Sequence, residues 1–170
     1  MDIGYEWMNY ILREDEEYNN EMCLKPERVT FLEMIQWYIS LMPPMNVAST
    51  TYRYCLGNRF IDEAEEGDLI TLRGYTSVSM NILKTINVVN WKGNRKTRPW
   101  ENNLSIPMVM MEIRIPAGAR FLIIPSRENE IILPHFCKFQ VLSKRKATDF
   151  ITYIVMELVN DPTQCSRESQ

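Results

Sequence analysis

Long apolar runs and an excess of basic residues are both missing from this sequence. No stretch of about 18 consecutive apolar residues occurs, so no transmembrane helix is predicted. The first twenty residues are acidic where a secretory signal needs a basic region, so we expect mature sequence rather than a targeting segment. The chain has 19 Lys and Arg against 22 Asp and Glu, a net charge of −3. Nucleic-acid binding is therefore not expected, because it depends on neutralising phosphates.

Metal-binding residues are also scarce. The chain has a single histidine, His135, and its cysteines are scattered at Cys23, Cys55, Cys137 and Cys165. No two of the cysteines lie within the spacing of zinc ligands, so no metal site is predicted. The four thiols are expected to be reduced and buried. Cys137 and His135 can share a strand face, which leaves a Cys–His nucleophile as an alternative.

The length and composition predict one globular domain. The chain has 170 residues, of which 45% are hydrophobic and 24% charged, both ordinary values for a folded protein. We expect one domain over residues 1–160 and a flexible tail over residues 161–170.

The first part of the chain has helical patterns and the rest has strand patterns. Apolar residues at helical spacing predict one helix over residues 2–12 and a second over residues 26–42, which we expect to be packed on much of its circumference. Residues 80–88 suggest a short helix, and residues 91–105 a long loop. Strands are predicted over residues 51–56, 68–71, 74–79, 108–115, 120–124, 130–133, 138–142 and 150–159. Helices followed by strands predict an α+β fold with a mostly antiparallel or mixed sheet.

Three short motifs occur in a fixed order along the predicted strands. They are Tyr52-Arg53-Tyr54, Ser77-Val78-Ser79 and Glu128-Asn129-Glu130, the last leading directly into an apolar strand. Together they resemble the R-S-E class of ADP-ribosyltransferases, which includes bacterial toxins and vertebrate arginine-specific ecto-enzymes. Residues 113–119 and 138–142 also fit that family, so the resemblance extends over about residues 30–142.

The resemblance implies a fold, a reaction and a set of site residues. The fold would be ADP-ribosyltransferase-like, with N-terminal helices packed on a split β-sheet. The activity would be mono-ADP-ribosyl transfer from NAD, which is a substrate, without a metal. Glu130 would stabilise the oxocarbenium-like transition state, Ser77 would orient Glu130 and the nicotinamide ribose, and Arg53 would hold the NAD pyrophosphate. The other NAD contacts that the resemblance implies are Ser79, Tyr52 and Trp91.

The acceptor is suggested by the two glutamates of the third motif. Glu128 and Glu130 are two residues apart, which on a strand places both on one face about 6.6 Å apart. In the family, Glu at the first position accompanies an arginine acceptor, so we expect transfer to an arginine of a protein. The expected partners are NAD and that protein. We expect a monomer that acts as a toxin-like effector, in the cytoplasm or delivered into a target cell.

Some residues depart from the family pattern. Val78 stands where the family usually has Thr, Tyr54 where Gly is common, and the loop before Glu128 is short. None of these changes removes a charge that the chemistry needs. They leave two alternatives open, an NAD glycohydrolase that uses water as acceptor and a catalytically degenerate binding module of the same fold.

Overall fold

The structure is a computed structural model that describes residues 26–56, 61, 63–83, 108–124, 130–149 and 151–160. The predicted helix over residues 2–12, the predicted loop over residues 91–105 and the tail from residue 161 lie outside these ranges. Within them, no helix is long and apolar enough to span a membrane. The elements are α1 (Pro26–Leu41), β1 (Ser49–Leu56), β2 (Leu69–Leu72), β3 (Thr76–Ser79), β4 (Met108–Ile115), β5 (Leu122–Ile124), β6 (Glu130–Leu133), β7 (Cys137–Lys146) and β8 (Ile151–Asn160).

The eight strands form one mixed sheet in the order β2-β7-β8-β4-β1-β3-β6-β5. The pair β4–β8 is parallel, and the other neighbouring strands are antiparallel. Strands β1 and β4 pair along their whole length, whereas β1 and β3 pair at Tyr52 and Ser79 alone within the described chain. The sheet therefore consists of a five-stranded part and a three-stranded part (β3, β6 and β5). This arrangement confirms the predicted α+β fold with a split sheet.

The main core lies on one face of both parts. Strand β4 buries Val109, Met111, Ile113 and Ile115, which alternate along the strand as period-two geometry requires. These side chains form one cluster with residues of the three-stranded part, including Ile131. Several polar side chains lie at alternate positions facing away from this core, among them Ser77 and Ser79 on β3, Glu112 on β4 and Glu130 on β6.

Helix α1 covers the opposite face of the three-stranded part. Leu32 and Ile39 are buried in a small cluster with Tyr75, and Leu122 and Ile132 of β5 and β6 pack against it. The Tyr75 hydroxyl donates a hydrogen bond to the Leu32 carbonyl at 2.9 Å. The helix is therefore attached to the segment that leads into β3.

The expectation that this helix is packed on much of its circumference was wrong. Only one side of α1 meets the sheet, so the apolar residues on its other side are exposed to solvent. The exposed residues are Phe31, Met34, Trp37, Tyr38 and Leu41.

A tight turn attaches the end of α1 to the start of β5. Gly118 has a φ of 92°, a backbone conformation that residues with a side chain rarely adopt. The backbone N–H of Gly118 donates to the Met45 carbonyl at 2.8 Å, and the Met45 N–H donates to the Ala119 carbonyl at 2.9 Å. Arg120 donates to the Met42 carbonyl just after the helix. These bonds fix α1 relative to the three-stranded part.

We expect Ile39→Ala to destabilise the protein by about 2–4 kcal/mol, the usual cost of truncating a buried Ile or Leu. Ile39 is fully buried, whereas Trp37 on the same helix is 57% exposed. The matched variant Trp37→Ala should therefore change the free energy of unfolding by less than about 1 kcal/mol. Urea denaturation measures both values. Equal destabilisation by the two substitutions would contradict the finding that α1 packs on the sheet through the side that contains Ile39.

Candidate active site

The side chains of Ser77 and Glu130 meet on adjacent strands. Ser79 on β3 is paired with Glu130 on β6, and Ser77 is paired with Ile132. Ser77 and Glu130 are therefore diagonal neighbours on one face, within reach of each other. The Ser77 hydroxyl donates a hydrogen bond to Glu130 Oε1. Glu130 is half-buried at the first position of β6, where a carboxylate remains accessible to a ligand.

Arg53 joins the two parts of the sheet. Its Nη1 atom donates a hydrogen bond to the Ser77 carbonyl at 2.8 Å. Ser77 lies two residues from the one β1–β3 pairing, at Tyr52 and Ser79. Strands β1 and β3 are not paired at Ser77. The Arg53 guanidinium therefore donates to the Ser77 carbonyl the hydrogen bond that a neighbouring strand would otherwise provide. The backbone of Ser77 is thereby held from β1, and its side chain holds Glu130.

Tyr52 and Ser79 lie beside Glu130 on the same face. Ser79 is directly opposite Glu130 on one side and directly opposite Tyr52 on the other. The Ser79 hydroxyl accepts a hydrogen bond from the Asn81 N–H at 3.1 Å, and Asn81 Oδ1 accepts one from the Leu83 N–H at 2.9 Å. Asn81 thus caps the helical residues that follow β3. Ser79 is part of the turn that leaves the site.

The same row continues onto β4 with Glu112, which sequence reasoning missed. Glu112 is directly opposite Tyr52. Its Oε2 accepts a hydrogen bond from the Tyr153 hydroxyl, and its Oε1 lies 3.4 Å from Arg114 Nε. Burial, with the carboxylate of Glu112 beside it, raises the pKa of Tyr153 to about 12. The available signal was a lone acidic residue within the apolar strand Met108–Ile115.

Two predicted site residues, Glu128 and Trp91, lie outside the described residues. Among the described residues, no group of three or more His, Cys, Asp and Glu side chains could hold a metal ion.

The alternative nucleophile is poorly placed. The Cys137 thiol is fully buried and donates to the Pro134 carbonyl at 3.1 Å, so a substrate has no direct access to it. His135 packs edge-on against Tyr75 with ring centroids 5.3 Å apart. Burial lowers the pKa of His135, which favours the neutral imidazole. The geometry thus favours a packing role for His135.

Comparison with solved structures reveals related folds. The Vis toxin of Vibrio splendidus, an ADP-ribosyltransferase, is 20% identical with a TM-score of 0.70, covering 94% of this chain and 69% of Vis. C3larvin of Paenibacillus larvae, an ADP-ribosyltransferase toxin, is 17% identical with a TM-score of 0.60, covering 91% of this chain and 88% of C3larvin. The chain has the fold of the ADP-ribosyltransferase toxins. This confirms the resemblance that the three motifs predicted. No protein-family model matches the sequence, and no curated protein matches it significantly.

Two proteins with this fold have also been solved with bound molecules. Vis has been crystallised in complex with agmatine. Exoenzyme S of Pseudomonas aeruginosa has been solved with human 14-3-3 protein beta and carba-NAD. It is 14% identical with a TM-score of 0.62, covering 89% of this chain and 66% of the exoenzyme.

Proposed function

We propose that the protein is a mono-ADP-ribosyltransferase that cleaves NAD to nicotinamide and transfers ADP-ribose to an arginine of a protein acceptor. The observation that carries the proposal is the hydrogen bond from Ser77 to Glu130, with Arg53 bound to the backbone of the same serine. The three motif residues thus lie together at the junction of the two parts of the sheet. The shared fold with the ADP-ribosylating toxins supports the same reaction.

Glu130 acts on the sugar. As the bond between ribose C1′ and the nicotinamide nitrogen breaks, the nitrogen keeps the electron pair and the ribose becomes positively charged. A carboxylate about 4 Å away at an effective dielectric near 20 stabilises that charge by about 4 kcal/mol. This amounts to about a thousandfold in rate. Ser77 holds one carboxylate oxygen in place, so little reorganisation accompanies the reaction.

Arg53 holds the pyrophosphate. Its planar guanidinium presents paired donors that match phosphate oxygens. Its Nη1 atom donates to the Ser77 carbonyl, so a guanidinium that binds the pyrophosphate also contacts the serine that orients Glu130. One residue then fixes both the dinucleotide and the serine that orients Glu130.

Glu128 receives the acceptor. Its spacing of two residues from Glu130 is the spacing that places side chains on one face of an extended chain. In this proposal Glu128 binds the guanidinium and takes up the proton released as nitrogen attacks C1′. The crystallisation of Vis with agmatine, a guanidinium compound, supports this choice of acceptor. The carba-NAD complex of Exoenzyme S supports the donor.

The direct test is incubation of the purified protein with NAD labelled in the adenylate part and a cell lysate. Protein-bound label and released nicotinamide are measured in parallel. Protein-bound label that neutral hydroxylamine removes supports transfer to arginine. Nicotinamide release without protein label would instead support the glycohydrolase, and a folded protein that leaves NAD intact would overturn the proposal.

We expect Glu128→Gln to lower transfer to arginine by at least tenfold and to leave NAD hydrolysis within about threefold of wild type. The substitution removes the charge that pairs with the guanidinium, worth about 1.5–3 kcal/mol, but keeps the carboxylate of Glu130. Agmatine as acceptor allows both rates to be measured in one assay. Equal loss of both activities would contradict a separate acceptor role for Glu128.

A further inference from the structure

A row of side chains extends from Glu130 across the sheet to strand β4. Glu130, Ser79, Tyr52 and Glu112 are paired in direct register on β6, β3, β1 and β4, and all four lie on one face. Strands are about 4.8 Å apart, so Glu112 lies about 14 Å from Glu130 along the row. Glu112 is too distant to act on the same ribose.

Glu112 is also poorly placed to bind a ligand itself. One oxygen accepts from the Tyr153 hydroxyl and the other lies 3.4 Å from Arg114 Nε. The side chain is 19% exposed. Both oxygens are therefore held by the protein, and the carboxylate is a fixed group against which its neighbours pack.

Tyr153 is held in turn from strand β7. The guanidinium carbon of Arg145 lies 5.2 Å from the centre of the Tyr153 ring, a cation–π distance. Through its hydrogen bond to Glu112, Tyr153 is linked to the residue directly opposite Tyr52 on β4. Tyr52 is thus bounded by the Glu112–Tyr153 pair on one side and by Ser79 on the other.

We propose that Glu112 and Tyr153 are positioning residues that hold the Tyr52 ring beside Ser79 and Glu130, where it forms one wall of the NAD site. This inference rests on the proposed function. A ring that is already fixed before binding loses less conformational freedom when the dinucleotide binds, which tightens binding without changing the chemical step. Neither residue touches the substrate.

The test compares Tyr153→Phe and Glu112→Gln with wild type in NAD binding by calorimetry and in steady-state nicotinamide release. Both variants should raise the Kd and the KM for NAD by about three- to tenfold, with kcat within twofold, because the change affects binding alone. The matched control is Tyr54→Phe. It removes a hydroxyl that bonds to Met108 on the same sheet face but outside the row, and it should leave all three constants unchanged.

A double-mutant cycle gives a readout that does not need NAD. Tyr52→Ala and Tyr153→Phe should each change the unfolding equilibrium constant by a measurable factor. The factor for the double variant should differ at least threefold from the product of the two single factors, as expected for coupled residues. If the factor for the double variant equals the product of the single factors, the inference is overturned. It is also overturned if the wild type is active and Tyr153→Phe binds NAD with the same Kd. If the two residues are coupled but the wild type neither binds nor consumes NAD, the proposed function is overturned. Glu112 and Tyr153 would then have no more than a structural role.

Discussion

Replacing Glu130 by glutamine should lower the rate of nicotinamide release by about a thousandfold, the loss expected when about 4 kcal/mol of transition-state stabilisation is removed. The fold should be retained, because the glutamine amide oxygen can still accept the hydrogen bond that Ser77 donates to Glu130. The KM for NAD should change little, since in the proposed mechanism the carboxylate acts mainly on a charge that develops in the transition state. Steady-state nicotinamide release and thermal unfolding measure these quantities.

The matched control is Glu157→Gln. Glu157 is paired with Arg114 on the same face of the five-stranded part, but it lies outside the row that contains Glu130. That variant should keep wild-type activity. If Glu130→Gln lost less than tenfold in rate, the carboxylate would not be the group that stabilises the ribose.

Removal of the Arg53 side chain should have the second largest effect, a loss of about a hundredfold in kcat/KM for Arg53→Ala, equivalent to about 2.7 kcal/mol. Two interactions would be lost together, the proposed pairing with the pyrophosphate and the hydrogen bond of 2.8 Å to the Ser77 carbonyl. Arg53→Lys should keep part of the activity, because lysine supplies the charge but not the planar fork. Both KM and kcat should change, since binding and the orientation of Glu130 both depend on this residue.

Arg73→Ala is the control for Arg53, because Arg73 is an exposed arginine that precedes β3. It should leave kcat/KM within twofold of wild type. An Arg53→Ala variant with an unchanged kcat and only a raised KM would show that its contact with Ser77 does not orient Glu130.

The strands were well predicted from the sequence because their residues alternate or are strongly β-forming. Strands Met108–Ile115 and Glu130–Leu133 have the predicted bounds, and the final strand is shifted by one residue. Strand β7 extends four residues beyond the predicted end at Leu142. Residues 143–146 are polar and have no apolar pattern that would predict a strand. They nevertheless pair with β8, so the hydrogen-bonded strand extends beyond its buried residues.

The packing of α1 could not be predicted from its own residues. Apolar side chains surround this helix, and only the position of the three-stranded part determines that Ile39 is buried while Trp37 is exposed. Propensity and periodicity report which residues can be buried, whereas the neighbouring elements determine which of them are.

The candidate site was predicted in part. The motif positions indicated Arg53, Ser77 and Glu130 because a known family has the same residue order. Glu112 and Tyr153 are 41 residues apart in the sequence and meet because β4 and β8 are parallel neighbours. Such a contact depends on strand order, which no local pattern encodes.

The single β1–β3 pairing has a consequence for how the chain evolves. Beyond the rung at Tyr52 and Ser79 and the hydrogen bond of Arg53 to the Ser77 carbonyl, the relative placement of the two parts of the sheet depends on apolar side chains shared between them, such as Ile113 and Ile131. Substitutions among these buried residues can alter the spacing between Arg53 and Glu130. The spacing of the proposed site residues thus depends on the composition of the interior as well as on the motif residues themselves.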